Sequence, residues 1–316
     1  MINYLNDEDH EAQKILFTGL DTAGKTSIIM ALQREFSKIA ILSPTRGAQR
    51  RIFEFLGKNI SEWDLGGQKS YRISYLKNPN KYFDNTEILI YVIDIQDKDR
   101  KNESLSYLKD VMKKLDELEI APPIYIFFHK FDPVLSKSAY SEYSDLIVNL
   151  KQEIKNSIDH EELYFYNTSV YEFPTLIKAM SEILLSLYPK ADLIDKTITE
   201  FARKVKSDGV AILDDNSLLI GSYYKNEFTK NILNASMPYF LTLHDSFHVV
   251  DKNLTANERI KNHVMVQRDG RYFIFKQIFL HEDIPPYYLL LVKEKPDFDK
   301  GDINSLSNLL RELLYK

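Results

Sequence analysis

The run Gly19-Leu20-Asp21-Thr22-Ala23-Gly24-Lys25-Thr26 sets two glycines, a lysine and a hydroxyl at the spacing that cradles a polyphosphate. Backbone amides across 21–26 can converge on phosphate oxygens, and a helix starting there turns its positive end toward them. In this pattern Lys25 neutralises the β- and γ-phosphates and the Thr26 hydroxyl ligates Mg2+. Asp21, Thr22, Ala23, Gly24 and Ser27 are the further nucleotide-contacting positions of the loop.

A second cluster, Trp63-Asp64-Leu65-Gly66-Gly67-Gln68, follows in the order that a phosphate-sensing switch requires. Asp64 is placed to hold Mg2+ through water, since Mg2+ keeps part of its hydration shell. The Gly67 amide can bond a γ-phosphate where a side chain would obstruct it, and Gln68 can orient the attacking water. Lys25, Gly67 and Gln68 are therefore the candidate catalytic residues. The Trp63 ring reads as core packing. Between the two clusters lies Ser43-Pro44-Thr45-Arg46-Gly47. Thr45 reads as a residue that closes over Mg2+ and the γ-phosphate, with a plain turn threonine as the alternative. Arg46 reads as a solvated loop arginine.

His129-Lys130-Phe131-Asp132 has the chemistry of a base reader. The Asp132 carboxylate can accept from guanine N1 and N2 together, a donor pair that adenine lacks, and an unpaired acid beside adenine is costly. Lys130 would lay its stem along the base. The amides of Ser169 and Val170 are candidates for guanine O6.

The elements that must position these residues follow from hydrophobic period. Residues 14–19, 88–95, 122–128 and 163–168 read as strands, the second a continuous apolar run of the buried, parallel type. Residues 52–56 and 60–63 read as a strand pair joined by Gly57-Lys58-Asn59. Helices are expected after the phosphate loop and at 105–118, 145–158 and 173–187, so strands and helices alternate as in a doubly wound α/β sheet. Past Pro189 the pattern changes. A helix at 193–205, strands at 209–213, 217–223, 264–268, 272–279 and 287–292, a helix at 228–237 and a last helix from Ile303 imply a separate α+β module. Asp214-Asp215-Asn216 and Asp269-Gly270 are its hairpin turns. The expected organisation is an N-terminal tail (1–11), a nucleotide-binding domain (12–188) and a C-terminal domain (189–316).

Composition narrows the function class. Of 316 residues 44% are hydrophobic and 28% charged, the balance of a folded globular chain. A net charge of -5 with no basic stripe argues against nucleic acid as a partner. The absence of cysteine removes disulfides, thiolate nucleophiles and prenyl or palmitoyl anchors, and fits a reducing, cytoplasmic compartment. Ile2 in place of glycine argues against myristoylation, and the polar 1–11 stretch is no signal peptide. Any recruitment to a membrane is therefore expected through partners.

Taken in order, these motifs resemble a small GTPase, and within that class the Rag/Gtr family. His129 replaces the usual asparagine of the N-K-x-D element, and Leu89-Ile90-Tyr91-Val92-Ile93-Asp94-Ile95-Gln96-Asp97 and Thr168-Ser169-Val170-Tyr171-Glu172 are similar to Rag segments. The stretch from Leu193 through Asp208–Leu213 to Leu218-Leu219-Ile220 is similar to the Rag C-terminal roadblock-type domain. The phosphate loop and the Asp64–Gln68 element are spelled more like the Arf family. The resemblance implies a P-loop GTPase fold followed by a smaller α+β roadblock/longin-like domain, with GTP or GDP and Mg2+ bound. It also implies a homodimer or a heterodimer with a related GTPase, and activating and exchange partners. A roadblock-type scaffold is a further partner it allows. Asp21 sits where its carboxylate would crowd the γ-phosphate and Gln68, so slow turnover is expected. An Arf-like membrane-traffic regulator and a nucleotide-holding scaffold that barely hydrolyses are the other readings.

Overall fold

In the computed structural model, residues 12–133, 137–251, 263–280, 285–297 and 299–315 are described. The expected tail, 1–11, lies outside them. The first elements are β1 (Gln13–Gly19), α1 (Lys25–Leu32), α2 (Phe36–Ile39), β2 (Ala48–Phe55), β3 (Lys58–Leu65), α3 (Lys69–Lys77) and α4 (Pro79–Tyr82). There follow β4 (Thr86–Asp94), α5 (Lys101–Glu117), β5 (Ile124–His129), α6 (Lys137–Ser157), β6 (Leu163–Thr168) and α7 (Phe173–Ser186). The strands form one sheet in the order β2-β3-β1-β4-β5-β6. All neighbours pair in parallel except β2 with β3.

The β2–β3 hairpin turns on Leu56 (φ 51) and Gly57 (φ 75). Two consecutive left-handed residues match the twist of the flanking strands, and they place the turn one residue earlier than composition alone suggests. β4 and β5 are covered on both faces, which is why they read as unbroken apolar runs. Leu105, Leu108, Val111 and Leu115 of α5 share one cluster with Leu89, Tyr91, Ile126 and Phe128 of the sheet and Ile147, Leu150 and Ile154 of α6. That three-and-four spacing is the apolar stripe that sets α5 on the sheet.

Parallel pairing has a functional consequence. It delivers Gly19, Leu65, Asp94, His129 and Thr168, the last residues of five strands, to one edge of the sheet. Ligands of open α/β sheets bind outside such an edge.

The remaining elements are α8 (Ala191–Lys204), β7 (Gly209–Leu213), β8 (Leu219–Tyr224), α9 (Glu227–Asp251), β9 (His263–Arg268), β10 (Arg271–Ile278), β11 (Tyr287–Lys293) and α10 (Lys300–Tyr315). Their sheet runs β8-β7-β11-β10-β9 and is antiparallel throughout. Leu233, Met237, Phe240 and Leu241 of α9 pack with Ala211, Leu213, Phe275, Tyr288 and Leu290 of the sheet. α8 lies on β8, and α10 on α8. This unit therefore has a core of its own. Helix α9 runs well past the expected end at 237. Pro238 sits inside it, removing one backbone hydrogen bond, but Met237, Phe240 and Leu241 on either side hold the helix to the sheet. The two compact units divide between Leu176 and Ile177, inside α7, whereas the sequence pattern changes at Pro189. Consistent with the earlier division, the Ser181 hydroxyl of α7 accepts from the Leu219 amide of β8 at 2.8 Å.

Candidate functional site

A cavity of about 160 Å³ opens at the C-terminal edge of the parallel sheet, and Asp21, Thr22, Lys25, Thr26, Ser27, Thr45, Gly67 and Gln68 are among its lining residues. Each reaches it from the end of an element. β1 ends at Gly19, whose φ of 138 is open to glycine, and a Cβ there would lie 2.4 Å from the Val92 carbonyl oxygen. The chain then turns at Gly24 (φ 97), the N-cap of α1. A Cβ on Gly24 would meet the His129 ring at 2.5 Å, so the loop is closed from behind by the base-reading segment.

Lys25 is buried, and its ammonium donates to the Leu20 carbonyl at 2.7 Å and to that of Gly19 at 3.2 Å. Loss of hydration lowers its pKa to about 8, against the opposing pull of Asp64 and Asp21. An anionic ligand in the cavity supplies the charge that favours the ammonium form.

Beside Lys25, three oxygen-bearing side chains meet. Thr26 Oγ1 donates to Asp64 Oδ2 at 2.5 Å and shares a hydrogen bond with Thr45 Oγ1 at 2.6 Å, while Thr45 Oγ1 donates to the same Asp64 oxygen at 3.3 Å. The other carboxylate oxygen, Asp64 Oδ1, is buried with no hydrogen-bond partner among the described residues. Burial raises the pKa of Asp64. Two hydroxyls and a desolvated carboxylate with an orphaned oxygen are the hard-oxygen donors that Mg2+ takes. The residues present fit that ion, and Thr45 Oγ1 lies with them.

Gly67 packs directly on the phosphate loop: a Cβ there would fall 2.1 Å from the Asp21 amide nitrogen and from the Leu20 carbonyl carbon. Gly66 donates to the Gly47 carbonyl at 2.9 Å, linking the Ser43–Gly47 and Trp63–Gln68 segments. Gln68 stands at the N-cap position of α3, with its side chain making no capping hydrogen bond, and lines the cavity. Arg46 is exposed. Trp63 is half-buried and packs against the core of this unit, as expected, with the Lys14 ammonium 4.5 Å and the Arg50 guanidinium 5.5 Å from its ring centre.

The residues expected to read the base lie at the ends of β5 and β6. Asp132 is buried; Ser169 Oγ donates to its Oδ1 at 2.5 Å and Gln96 Nε2 to its Oδ2 at 2.9 Å. Lys130 has φ 64 and donates to Asp94 Oδ2 at 2.6 Å, and Gln96 Nε2 also donates to the Lys130 carbonyl at 2.7 Å. The Ser169 amide donates to Thr175 Oγ1 at 3.1 Å and so is already used within its loop; Val170 follows it. His129 Nδ1 and Thr168 Oγ1 share a hydrogen bond at 3.0 Å.

Sequence reasoning missed the groups that act on these residues from a distance. Gln96 is one. Arg100 is another: its Nη2 donates to Asp21 Oδ1 at 2.6 Å, so the Asp21 carboxylate, expected to crowd the γ-phosphate, is instead paired. Arg72 donates through Nε to the Gly67 carbonyl at 2.8 Å and through Nη2 to Glu103. The one available signal was the charged cluster Asp97-Lys98-Asp99-Arg100 ahead of α5.

Residues 14–242 match the Gtr1/RagA G protein conserved region. The chain belongs to the Gtr1/RagA family. It is a small GTPase of the Rag/Gtr type with Arf-like features. It is similar to a Ras-related GTP-binding protein A of Dictyostelium discoideum, 26% identical over 70% of this chain and 72% of that protein. It is also similar to an ADP-ribosylation factor-like protein 3 of Chlamydomonas reinhardtii, 40% identical over 42% of this chain and 71% of that one. A solved structure of the Arl6 BBS3 small GTPase of Trypanosoma brucei aligns with a TM-score of 0.44 at 21% identity, over 55% of this chain and 96% of that one. The parallel-dominated sheet is the arrangement of a P-loop GTPase, and in this Rag/Gtr GTPase a separate antiparallel sheet follows it. Among the described residues no helix is long and apolar enough to cross a membrane.

Proposed function

We propose that this Rag/Gtr GTPase is a switch that binds GTP, hydrolyses it slowly by itself, and works as a dimer formed through its C-terminal unit. The observation that carries the reading is the meeting of Thr26, Thr45 and Asp64 beside buried Lys25, in one cavity with Gly67 and Gln68. Lys25 and the loop amides would hold the phosphates; Thr26 and Thr45, with Asp64 through water, would hold Mg2+, which would supply charge to neutralise the phosphates. Gln68 orients water toward the γ-phosphate, with the Gly67 amide fixing that phosphate against the loop. Asp132, aimed by Gln96 and Ser169, accepts from guanine, and the Val170 amide serves O6. Loss of the γ-phosphate would remove the contacts that phosphate and Mg2+ make to Thr45 and Gly67, leaving the direct bonds between their segments.

Slow intrinsic turnover follows from the cations. Lysine supplies the positive charge lining the cavity, while Arg72 and Arg100 are committed to other carboxylates. A partner that inserts an arginine would then contribute several kcal/mol of transition-state stabilisation. Single-turnover GTP hydrolysis by the full chain tests the roles. Wild type is expected to turn over slowly, and Gln68→Leu to reduce the rate at least about tenfold, on the order of 1.4 kcal/mol of barrier. Fast hydrolysis that is indifferent to Gln68→Leu would contradict the assignment.

The dimer reading rests on the edge of the second sheet. β9 is an edge strand with exposed Met265 and Val266, and α9 exposes Tyr239 and Leu243. An edge left unpaired among the described residues, with apolar side chains, is a template for strand pairing, and a roadblock-type domain of a like chain is the partner proposed for it. Activating and exchange partners, and a cytoplasmic location with any recruitment to a membrane surface made by partners, belong to the same reading.

A further inference from the structure

The phosphate loop carries an acid, Asp21, where a negative ligand is to bind. Gly67 marks how close: its missing Cβ would lie 2.1 Å from the Asp21 amide nitrogen, so Asp21 stands where the loop and the Gly67–Gln68 segment meet. That junction is the γ-phosphate side of the cavity. A free carboxylate there would repel the terminal phosphate through a partly desolvated path, where like charges interact by several times their strength in water.

Arg100 removes that charge. Its guanidinium holds Asp21 Oδ1 at 2.6 Å through Nη2 and Glu103 Oε2 at 2.9 Å through Nε. Glu103 is in turn bonded by Arg72, whose Nε fixes the Gly67 carbonyl at 2.8 Å. Asp21, Arg100, Glu103, Arg72 and Gly67 thus form one chain of charged hydrogen bonds from the loop to α3. Arg100, Asp21 and Glu103 are each about a third exposed, so these ion pairs contribute little to stability. Their effect is to fix where charge sits.

We infer that Arg100 is a positioning residue for nucleotide choice: by pairing with the Asp21 carboxylate and neutralising its charge beside the cavity, it lets the site accept the triphosphate as well as the diphosphate. This rests on the GTP-switch reading and adds to it a determinant of GTP against GDP. GDP lacks the group that Asp21 would repel, so the loss of Arg100 falls on the triphosphate.

The test is equilibrium binding of fluorescent GDP and of a fluorescent β,γ-imido GTP analogue, with Mg2+, to the full chain. The ratio of triphosphate to diphosphate affinity is expected to fall about tenfold in Arg100→Met. It is expected to return to the wild-type value when Asp21→Gly is added, since glycine removes the carboxylate that Arg100 neutralises. In an Asp21→Gly background, Arg100→Met should leave the ratio unchanged. If Arg100→Met does not fold, Arg100→Lys takes its place, with a smaller fall and the same rescue. An unchanged ratio in the single variant, or no recovery in the double, overturns the proposal, because a merely structural loss weakens both nucleotides together. A wild-type chain that binds neither nucleotide overturns the switch reading and this inference with it, and is told apart by the wild-type measurement alone.

Discussion

At the scale of single residues, His129 shows how a motif position can change chemistry and keep its place. Its ring is buried against Gly24 and bonded to Thr168, and burial first, then the Lys130 charge, push its pKa from an ordinary 6.5 down to about 3. The folded chain therefore holds a neutral imidazole that the unfolded chain protonates. Its contribution to stability is complete above pH 6.5 and is lost as the pH falls from there toward 3. Urea unfolding between pH 7 and pH 4 should show wild type losing stability more steeply than His129→Asn, by up to about 1.4 kcal/mol per pH unit. Parallel slopes for the two proteins would mean that His129 is not the group responsible. The same residue-scale view separates what a sequence displays from what it hides. Lys25, Thr26, Asp64, Gln68 and Asp132 were legible because each belongs to a short contiguous run whose spacing is its own signature. Arg100 and Arg72 were not, because their partners Asp21 and Glu103 stand 79 and 31 residues away, and a single arginine in a charged segment carries no such spacing.

At the scale of elements, the parallel strands were the most legible part, since burial on both faces leaves β4 and β5 as apolar runs that a half-exposed strand cannot show. Boundaries set by tertiary packing were less so. α9 passes through Pro238 because Met237, Phe240 and Leu241 are anchored on the second sheet, an energy that local propensity does not contain. Within α7, read as the closing helix of the first domain, the two compact units divide between Leu176 and Ile177. β9 carries the element-scale prediction. If a like domain pairs along this edge, Val266→Lys, a charge on an exposed edge position, should shift the full chain from dimer toward monomer by about tenfold or more in dissociation constant while leaving its circular dichroism unchanged. Sedimentation of the two proteins at matched concentrations checks it. A wild-type chain that stays monomeric at high concentration sinks the dimer reading, and a dimer indifferent to Val266→Lys moves the interface away from β9.

At the scale of the whole molecule, a Rag/Gtr GTPase joins a nucleotide site at the end of a parallel sheet to a second unit with a separate core. In the proposed switch the first unit carries the nucleotide state and the second the surface proposed for docking a like chain. The central claim is that the site reads guanine and the terminal phosphate together, and competition binding by the full chain in Mg2+ tests it most directly. GTP and GDP are expected to displace a fluorescent guanine nucleotide while ATP fails at about a thousandfold higher concentration, and Asp132→Asn should abolish that preference, since the acid that accepts from guanine N1 and N2 is gone. ATP competing as well as GTP, or a preference that survives Asp132→Asn, would contradict the account.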